Sequence, residues 1–103
     1  MTLNEYQDAM RRTYKPGRII NHILGLCGET GELAEEIKKA FFHDVPAERE
    51  KTKDELGDVL WYLTALVNDN AFTLDEIATH NIEKLKRRYP EGFVKGGGIR
   101  ESE

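Results

Sequence analysis

Two pairs of acidic residues stand at spacings that place both members of each pair on one face of a helix. Glu29 and Glu32 form the first pair, and Glu55 and Asp58 form the second. Residues three apart are neighbours on a helix surface, so the two carboxylates of each pair lie side by side. Such oxygen ligands suit magnesium or manganese, whereas zinc usually draws on histidine or cysteine. The two pairs therefore predict a divalent metal site, and two solvated acidic helix faces are the alternative.

The acidic pairs fall on two long segments whose apolar residues recur at helical spacing. The segment 18–43 predicts the longer helix, and the segment 48–70 predicts the next, with Leu56, Leu63 and Val67 in its buried stripe. In both helices the acids border the apolar stripe and do not lie opposite it. If the two helices pack antiparallel, the four carboxylates converge, and a divalent cation would neutralise their mutual repulsion.

Three glycines fall inside the longer predicted helix, at Gly25, Gly28 and Gly31. Glycine inside a helix costs up to about 1 kcal/mol relative to alanine, so its presence needs a physical reason. A close approach of another helix or of a ligand to the backbone is one reason, and a local kink is the other.

Two further helices are predicted by capping boxes, in which a threonine and a glutamate three residues later bond to each other's backbone. The pair Thr2–Glu5 opens a first helix that runs to about Tyr14, and the pair Thr73–Glu76 opens the last. Short connections between consecutive helices favour antiparallel packing. The expected fold class is all-α, with a single four-helix bundle-like domain over 1–95 and a flexible tail over 96–103.

The last predicted helix carries positive charge near its carboxyl end. Asn81, Lys84 and Arg88 lie along the edge of its apolar stripe. If this strip faces the acids, it could hold phosphate oxygens while the carboxylates hold the metal. The simpler alternative is that cations gather at a helix carboxyl end because they interact favourably with the helix dipole.

Charge and composition limit the partners of the chain. Its 103 residues suffice for one domain, and its net charge of −4 argues against nucleic-acid binding through a general positive field. An anionic substrate therefore needs a local cation, from basic side chains or from a metal. Cys27 is the only cysteine, so no intrachain disulfide can form, and a cytoplasmic location is the simplest interpretation. No apolar run approaches the ~20 residues that a membrane span requires.

Three segments of the chain resemble the MazG-like nucleotide pyrophosphohydrolases, whose pattern is Glu-x-x-Glu, a variable spacer and Glu-x-x-Asp. The segments are GETGELAEE at 28–36, ELGDVLWYL at 55–63 and NIEKLKRRYPEGF at 81–93, and the last resembles the fourth-helix signature of that family. The resemblance extends over roughly residues 20 to 93. Either acidic pair alone is a weak signal, but both pairs in this order, followed by the third segment, make a specific match.

The resemblance implies an all-α NTP pyrophosphatase fold, related to the dimeric dUTPases and to phosphoribosyl-ATP pyrophosphohydrolase. It implies hydrolysis of a nucleoside triphosphate to the monophosphate and pyrophosphate with Mg²⁺, for which Mn²⁺ can substitute. It also implies a homodimer or homotetramer whose sites are completed near a subunit interface. The residues that match the metal ligands of the family are Glu29, Glu32, Glu55 and Asp58. The residues that match its phosphate contacts are Asn81, Lys84 and Arg88.

The chain departs from the family pattern at Gly28, where relatives often carry an acidic residue. If that acid helps to activate water in relatives, another group must do so here, and Glu36 is the nearest candidate for the general base. A metal ion that needs little help from a protein base is the alternative. Tyr62, on the Glu55 side of its helix, is a candidate for the wall of the substrate site, whereas Trp61 is expected to point elsewhere, toward a subunit interface.

Other functions stay open at the level of the sequence. A non-catalytic helical module that binds nucleotide or metal would be favoured by missing catalytic acids, and here only the acid at position 28 is missing. The same fold acting on phosphoribosyl-ATP or on dUTP is a second alternative. A purely structural helical dimer is a third, and it would leave the clustered acids unexplained.

Overall fold

The computed structural model describes residues 1–43, 46 and 48–92, so the predicted tail over 96–103 lies outside the described residues. Within the described residues the chain forms four α-helices: α1 spans Leu3–Met10, α2 spans Ile19–Phe42, α3 spans Arg49–Asp69 and α4 spans Leu74–Arg88. This part of the chain contains no strand, and none of its helices has the length and apolar character that crossing a membrane requires. The predicted all-α fold class is confirmed.

Both predicted capping boxes are present, and they set where α1 and α4 begin. The Glu5 backbone N–H donates to Thr2 Oγ1 at 3.1 Å, and the Glu5 carboxylate accepts from the Thr2 N–H at 2.9 Å. The same reciprocal pair joins Thr73 and Glu76, at 3.1 and 2.6 Å. Caps of this kind contribute about 1 kcal/mol each, so both helix starts are well defined.

The first helix is shorter than predicted, because it ends at Met10 and not near Tyr14. Pro16 disfavours the helical conformation of the residue before it, and Gly17 adopts a positive φ of 79°. Residues 11–18 therefore connect α1 to α2 through turns and an irregular loop.

The main helix contact in the described chain is between α2 and α3. Gly25 of α2 lies against the ring of Tyr62 on α3, and a Cβ atom built at Gly25 would overlap that ring. The predicted close approach of another helix is therefore confirmed at Gly25. At Gly28 and Gly31 a Cβ atom would meet nothing within 4 Å, so packing in the single chain does not explain these two glycines.

The buried interior of the described residues is small and as polar as it is apolar. Its apolar members are Met10, Ala65, Val67 and Leu74, and its polar members are Gln7, His22, Glu55 and Thr64. Gln7 fastens α1 to the junction between α3 and α4. Its Nε2 donates to Asn68 Oδ1 at 2.8 Å and to Phe72 O at 3.0 Å, and its Oε1 accepts from the Leu74 N–H at 2.7 Å. Because buried polar groups are costly when unpaired, these bonds specify how α1 docks.

The apolar stripes of α2 and α3 are exposed over much of their length. Leu56 and Leu63, which the periodicity places in a buried stripe, are 51% and 42% exposed, and Phe41 of α2 is 79% exposed. The prediction of a buried stripe is therefore wrong for these leucines in a single chain. The reason is that α4 packs mainly against α1 and leaves the α2–α3 pair largely uncovered, so the four helices form an open arrangement.

Candidate functional site

Two of the predicted metal ligands carry enclosed carboxylate oxygens without hydrogen-bond donors. Glu55 of α3 is buried and Glu29 of α2 is half-buried. The Oε2 atom of each is enclosed and receives no hydrogen bond from any described residue. A buried oxygen left without a donor typically costs about 1–3 kcal/mol. These two oxygens, on contacting helices, are therefore positions that a cation would stabilise.

The acidic cluster, defined as Glu29, Glu32, Glu55 and Asp58, is electrostatically one group. The pKa of Glu29 is raised above that of an ordinary glutamate, first by burial and then by the negative charges of Glu32, Asp58 and Glu55. The fold thus brings both acidic pairs together across the α2–α3 contact. Glu32 and Asp58 are exposed, so the cluster is accessible from solvent.

The acidic cluster fits a hard divalent cation as a donor set. It offers only carboxylate oxygens, which are the ligands that Mg²⁺ and Mn²⁺ favour. Among the described residues, no three acidic, histidine or cysteine side chains lie close enough to ligate one ion as they stand. The residues present therefore suit the ion, and binding would require their side chains to move together.

Glu36, the predicted general base, lies in an ion pair between α2 and α3. Its carboxylate is 2.8 Å from Lys51 Nζ and 4.0 Å from Lys39 Nζ. The hydrogen bond from Lys51 lowers the pKa of Glu36 below that of an ordinary glutamate, and Glu36 is absent from the charges that act on Glu29. These contacts give Glu36 a role in joining the two helices, and its role as a base stays a prediction.

The predicted phosphate contacts lie on α4, the helix that packs against α1. Asn81 is exposed, whereas Lys84 and Arg88 are half-buried. None of the three lines the pocket beside the acidic cluster, whose lining comes from α2 and α3 alone. The fold therefore brings the acids together with each other but does not place these α4 residues in the same pocket within one chain.

A shallow pocket, here called the acid pocket, lies beside the cluster and is lined by Glu29, Asp58, Trp61 and Tyr62. The lining position predicted for Tyr62 agrees with the structure, but the expectation that Trp61 points elsewhere is wrong. The two rings meet edge to face, with centroids 5.2 Å apart and planes at 85°, so they share one wall. The Trp61 Nε1–H donates to Thr13 Oγ1 at 2.9 Å, which holds the indole toward the loop that precedes α2.

A second pocket adjoins the acid pocket and shares Trp61 and Tyr62 with it. This loop pocket is lined as well by Thr13, Lys15, Arg18, Asn21 and His22. Lys15 and Arg18 bring two positive charges within reach of a ligand that lies against the aromatic wall. The sequence analysis did not select these two residues, although they flank the Pro-Gly break between α1 and α2, where a loop side chain can turn toward a neighbouring pocket.

A buried hydrogen-bond network forms the floor beneath the loop pocket. The Asp69 carboxylate accepts from the Tyr14 hydroxyl at 2.6 Å and lies 2.6 Å from His22 Nδ1. The side chains of His22 and Asp69 are only 5% and 4% exposed. His22 also stacks on Tyr14 at 5.5 Å and meets Trp61 edge-on at 5.8 Å. Burial and the bond to Asp69 raise the pKa of Tyr14 to about 12.

Tyr6 of α1 is a further residue at the acidic cluster that the sequence analysis did not select. Its pKa is raised above the ordinary value for tyrosine, first by burial and then by the negative charge of Asp58. A tyrosine from α1 therefore lies within electrostatic range of a predicted metal ligand on α3.

The two acidic pairs on contacting helices are the arrangement that the resemblance to the MazG-like nucleotide pyrophosphohydrolases predicts. Residues 19–93 match the family model described as the MazG nucleotide pyrophosphohydrolase domain. The chain belongs to this family.

The chain is also similar to an individual protein and to a solved structure. The chain is 34% identical over 79 residues to the Gene 37 protein of Mycobacterium phage L5, and the match covers 73% of this chain and 69% of that protein. The fold is similar to the crystal structure of iMazG from Vibrio DAT 722, with a TM-score of 0.64 at 25% identity, over 90% of this chain and 100% of that one. The chain thus shares its fold with a solved MazG structure.

Proposed function

We propose that this protein hydrolyses nucleoside triphosphates, with ribose or deoxyribose and with canonical or modified bases, to the monophosphate and pyrophosphate. The observation that carries the proposal is the pair of enclosed carboxylate oxygens, Glu29 Oε2 and Glu55 Oε2, to which no described residue donates a hydrogen bond. Glu29 also lines a pocket with two aromatic rings, so a metal-binding group and a ring-binding surface adjoin. Membership of the family supports the same class of reaction.

The acidic cluster would hold Mg²⁺, with Mn²⁺ as a substitute. When bound, the cation would polarise phosphoryl oxygens and lower the pKa of water. The reaction forms a bond between the water oxygen and phosphorus, breaks the bond to pyrophosphate and releases a proton. The contribution of the chain is placement, because the α2–α3 contact fixes both acidic pairs relative to the aromatic wall. The general base is left unassigned, since Lys51 already pairs with Glu36.

The nucleoside part of the substrate would occupy the groove that the acid pocket and the loop pocket form together. The phosphates would lie at the acidic end, and the base would lie against Trp61 or Tyr62. Stacking of a base on an aromatic side chain contributes about 1–3 kcal/mol. Lys15 and Arg18 would offset part of the repulsion between the substrate and a chain of net charge −4.

A homodimer or homotetramer would complete the site. The single chain leaves Leu24 66% exposed, Leu56 51% exposed and Phe41 79% exposed, and an apolar surface of this extent favours burial against another copy. Assembly would also offer a way for the phosphate contacts predicted on α4 to reach the acidic cluster of a neighbouring subunit. Those contacts are Asn81, Lys84 and Arg88.

A non-catalytic module that binds nucleotide and metal is the second candidate function. Gly28 favours it, because relatives often carry an acid at this position and here that acid is missing. No other group lies within 4 Å of a Cβ atom built at Gly28, so no neighbouring side chain takes the place of the acid there. If the protein is an enzyme, phosphoribosyl-ATP and dUTP are alternative substrates.

Pyrophosphate release from a panel of canonical and modified nucleotides, with Mg²⁺ or with EDTA, tests the proposed function. Glu32→Gln and Asp58→Asn should abolish Mg²⁺-dependent release while circular dichroism shows an intact helical fold. The matched controls are Glu35→Gln and Asp54→Asn, which make the same charge change on the same helices at exposed positions. Near-wild-type turnover in the two cluster variants would overturn the metal assignment. No release from any nucleotide, with metal still bound, would favour the binding module.

A further inference from the structure

His22 is a buried imidazole that the proposed hydrolysis does not use, yet its ring lines the loop pocket. Its Nδ1 faces the Asp69 carboxylate, which also accepts from Tyr14. The three side chains join the loop before α2, α2 itself and the end of α3. This network therefore fixes the orientation of the imidazole against the pocket.

The contact with Asp69 also fixes which nitrogen of His22 carries the proton. An ionised carboxylate can only accept hydrogen bonds, so Nδ1 must be the donor at a separation of 2.6 Å. In the neutral ring, Nε2 is then an acceptor, and the ring belongs to the lining of the loop pocket.

We propose that His22 is a specificity-determining residue, whose Nε2 accepts a hydrogen bond from an exocyclic amino group of the substrate base. The inference rests on the proposed function for the presence of a nucleoside in the loop pocket. Asp69 is the positioning residue, because it holds the imidazole in the tautomer that accepts. Cytosine and adenine nucleotides are therefore favoured over their oxo counterparts, which carry uracil and hypoxanthine.

The discrimination follows from lone-pair chemistry. An oxo group placed against Nε2 would bring two acceptors together and leave both without a hydrogen-bond donor. A site that hydrogen-bonds one substrate group rejects the analogue that lacks it more strongly than an apolar pocket rejects a change of size. A preference of about tenfold or more is expected for dCTP over dUTP and for dATP over dITP.

Asp69→Asn tests the positioning role. The amide N–H of the new side chain would donate to Nδ1, move the ring proton to Nε2 and convert the acceptor into a donor. The dCTP-to-dUTP ratio of kcat/KM should then fall below one tenth of the wild-type ratio, or reverse. In His22→Gln the side-chain amide can present either its N–H donor or its C=O acceptor to the base, so the ratio should be close to one. Asp54→Asn makes the same charge change at an exposed position of α3 and should leave the ratio unchanged.

Two measurements that do not depend on turnover keep this inference separate from the proposed function. ¹⁵N spectra of the imidazoles should show a protonated Nδ1 for His22 in the wild-type protein and a protonated Nε2 in Asp69→Asn. Calorimetric titration with non-hydrolysable α,β-imido analogues of dCTP and dUTP, in Mg²⁺, should show the same preference as kcat/KM. Selective binding without hydrolysis of any nucleotide would retain the role of His22 and overturn the proposed function.

Other outcomes would overturn the role of His22 itself. Hydrolysis of dCTP and dUTP at rates within about twofold of each other would do so while leaving the proposed function intact. A wild-type His22 that carries its neutral-state proton on Nε2 would also overturn it. If Asp69→Asn does not fold, the wild-type spectrum and the ratio measured for His22→Gln decide the question.

Discussion

Alanine substitution at neighbouring glycines of α2 should have opposite effects on stability. At Gly28 a methyl group would meet nothing within 4 Å, so Gly28→Ala should gain helix propensity of up to about 1 kcal/mol. At Gly25 the same methyl group would overlap the Tyr62 ring, and overpacking of this kind costs about 1–3 kcal/mol. Gly25→Ala gains the same helix propensity, so its free energy of unfolding should fall by up to about 2 kcal/mol relative to the wild-type protein. It should be about 1–3 kcal/mol lower than the free energy of unfolding of Gly28→Ala.

Urea unfolding followed by far-ultraviolet circular dichroism would measure these free energies, at one protein concentration because assembly would also shift them. In thermal scans, each 1 kcal/mol corresponds to about 4–8 °C for a domain of this size. A double-mutant cycle with Tyr62→Ala isolates the contact, since Gly25→Ala should become stabilising once the ring is gone. Equal stability of Gly25→Ala and Gly28→Ala, or no coupling to Tyr62, would refute the reasoning.

The same displacement should affect substrate binding. Tyr62 lines both the acid pocket and the loop pocket, so a ring moved by Gly25→Ala should raise KM for nucleotides. Gly31→Ala, where the added methyl also meets nothing within 4 Å, is the control and should leave KM unchanged. An unchanged KM in Gly25→Ala would show that the aromatic wall does not contact substrate.

Three further predictions concern ionisable groups. Tyr14→Phe should cost about 1–3 kcal/mol in urea unfolding, because it removes the phenol bonded to Asp69. The folded-state pKa of Tyr14 is raised from 10.0 to about 12, so the contribution of Tyr14 to stability is present below pH 10 and is lost as pH rises toward 12. Absorbance titrations of the wild-type protein and of Tyr14→Phe would detect this late ionisation. The pKa of Glu36 is lowered by its hydrogen bond with Lys51. The wild-type protein should therefore be more stable than Glu36→Gln above about pH 4.5, and this difference should disappear as pH falls through the lowered pKa. A loss of turnover in Glu36→Gln with no loss of stability would instead support a catalytic base. Glu29→Gln should stabilise the metal-free protein by removing repulsion from the acidic cluster, and thermal unfolding with Mg²⁺ and with EDTA should show that the ion stabilises the wild-type protein much more than this variant.

The helices of the described chain follow closely from local sequence signals. The capping boxes at Thr2 and Thr73 could be predicted because both partners of each box lie within one helical turn. The end of α1 was placed too late, because after Met10 the N–H groups of Thr13 and Tyr14 bond to carbonyl groups three residues back, as in turns, and Pro16 restricts only the residue directly before it. The wrong prediction of a buried stripe at Leu56 and Leu63 has a different cause. Periodicity identifies an apolar face but does not identify the surface that will cover it.

The acidic cluster was predictable for the same local reason as the capping boxes. Residues three apart share a helix face whatever the rest of the chain does, so the two pairs could be recognised before their helices were packed. The aromatic wall was only half predicted. Tyr62 could be placed from its angle on the helix, but Trp61 reaches the same wall through its hydrogen bond to Thr13, in a loop whose path the periodicity does not describe.

The sequence by itself determined the four helices, their acidic pairs and the family, because these depend on residues a few positions apart and on their order along the chain. Only the tertiary structure decided that Gly25 accommodates the Tyr62 ring, that Lys15 and Arg18 line a pocket, and that His22 bonds to Asp69. These contacts join residues far apart in the chain, and they depend on how helices and loops pack against each other. Local periodicity carries no information about the distance between two helices or the path of a loop, so such contacts become visible only when the chain is folded.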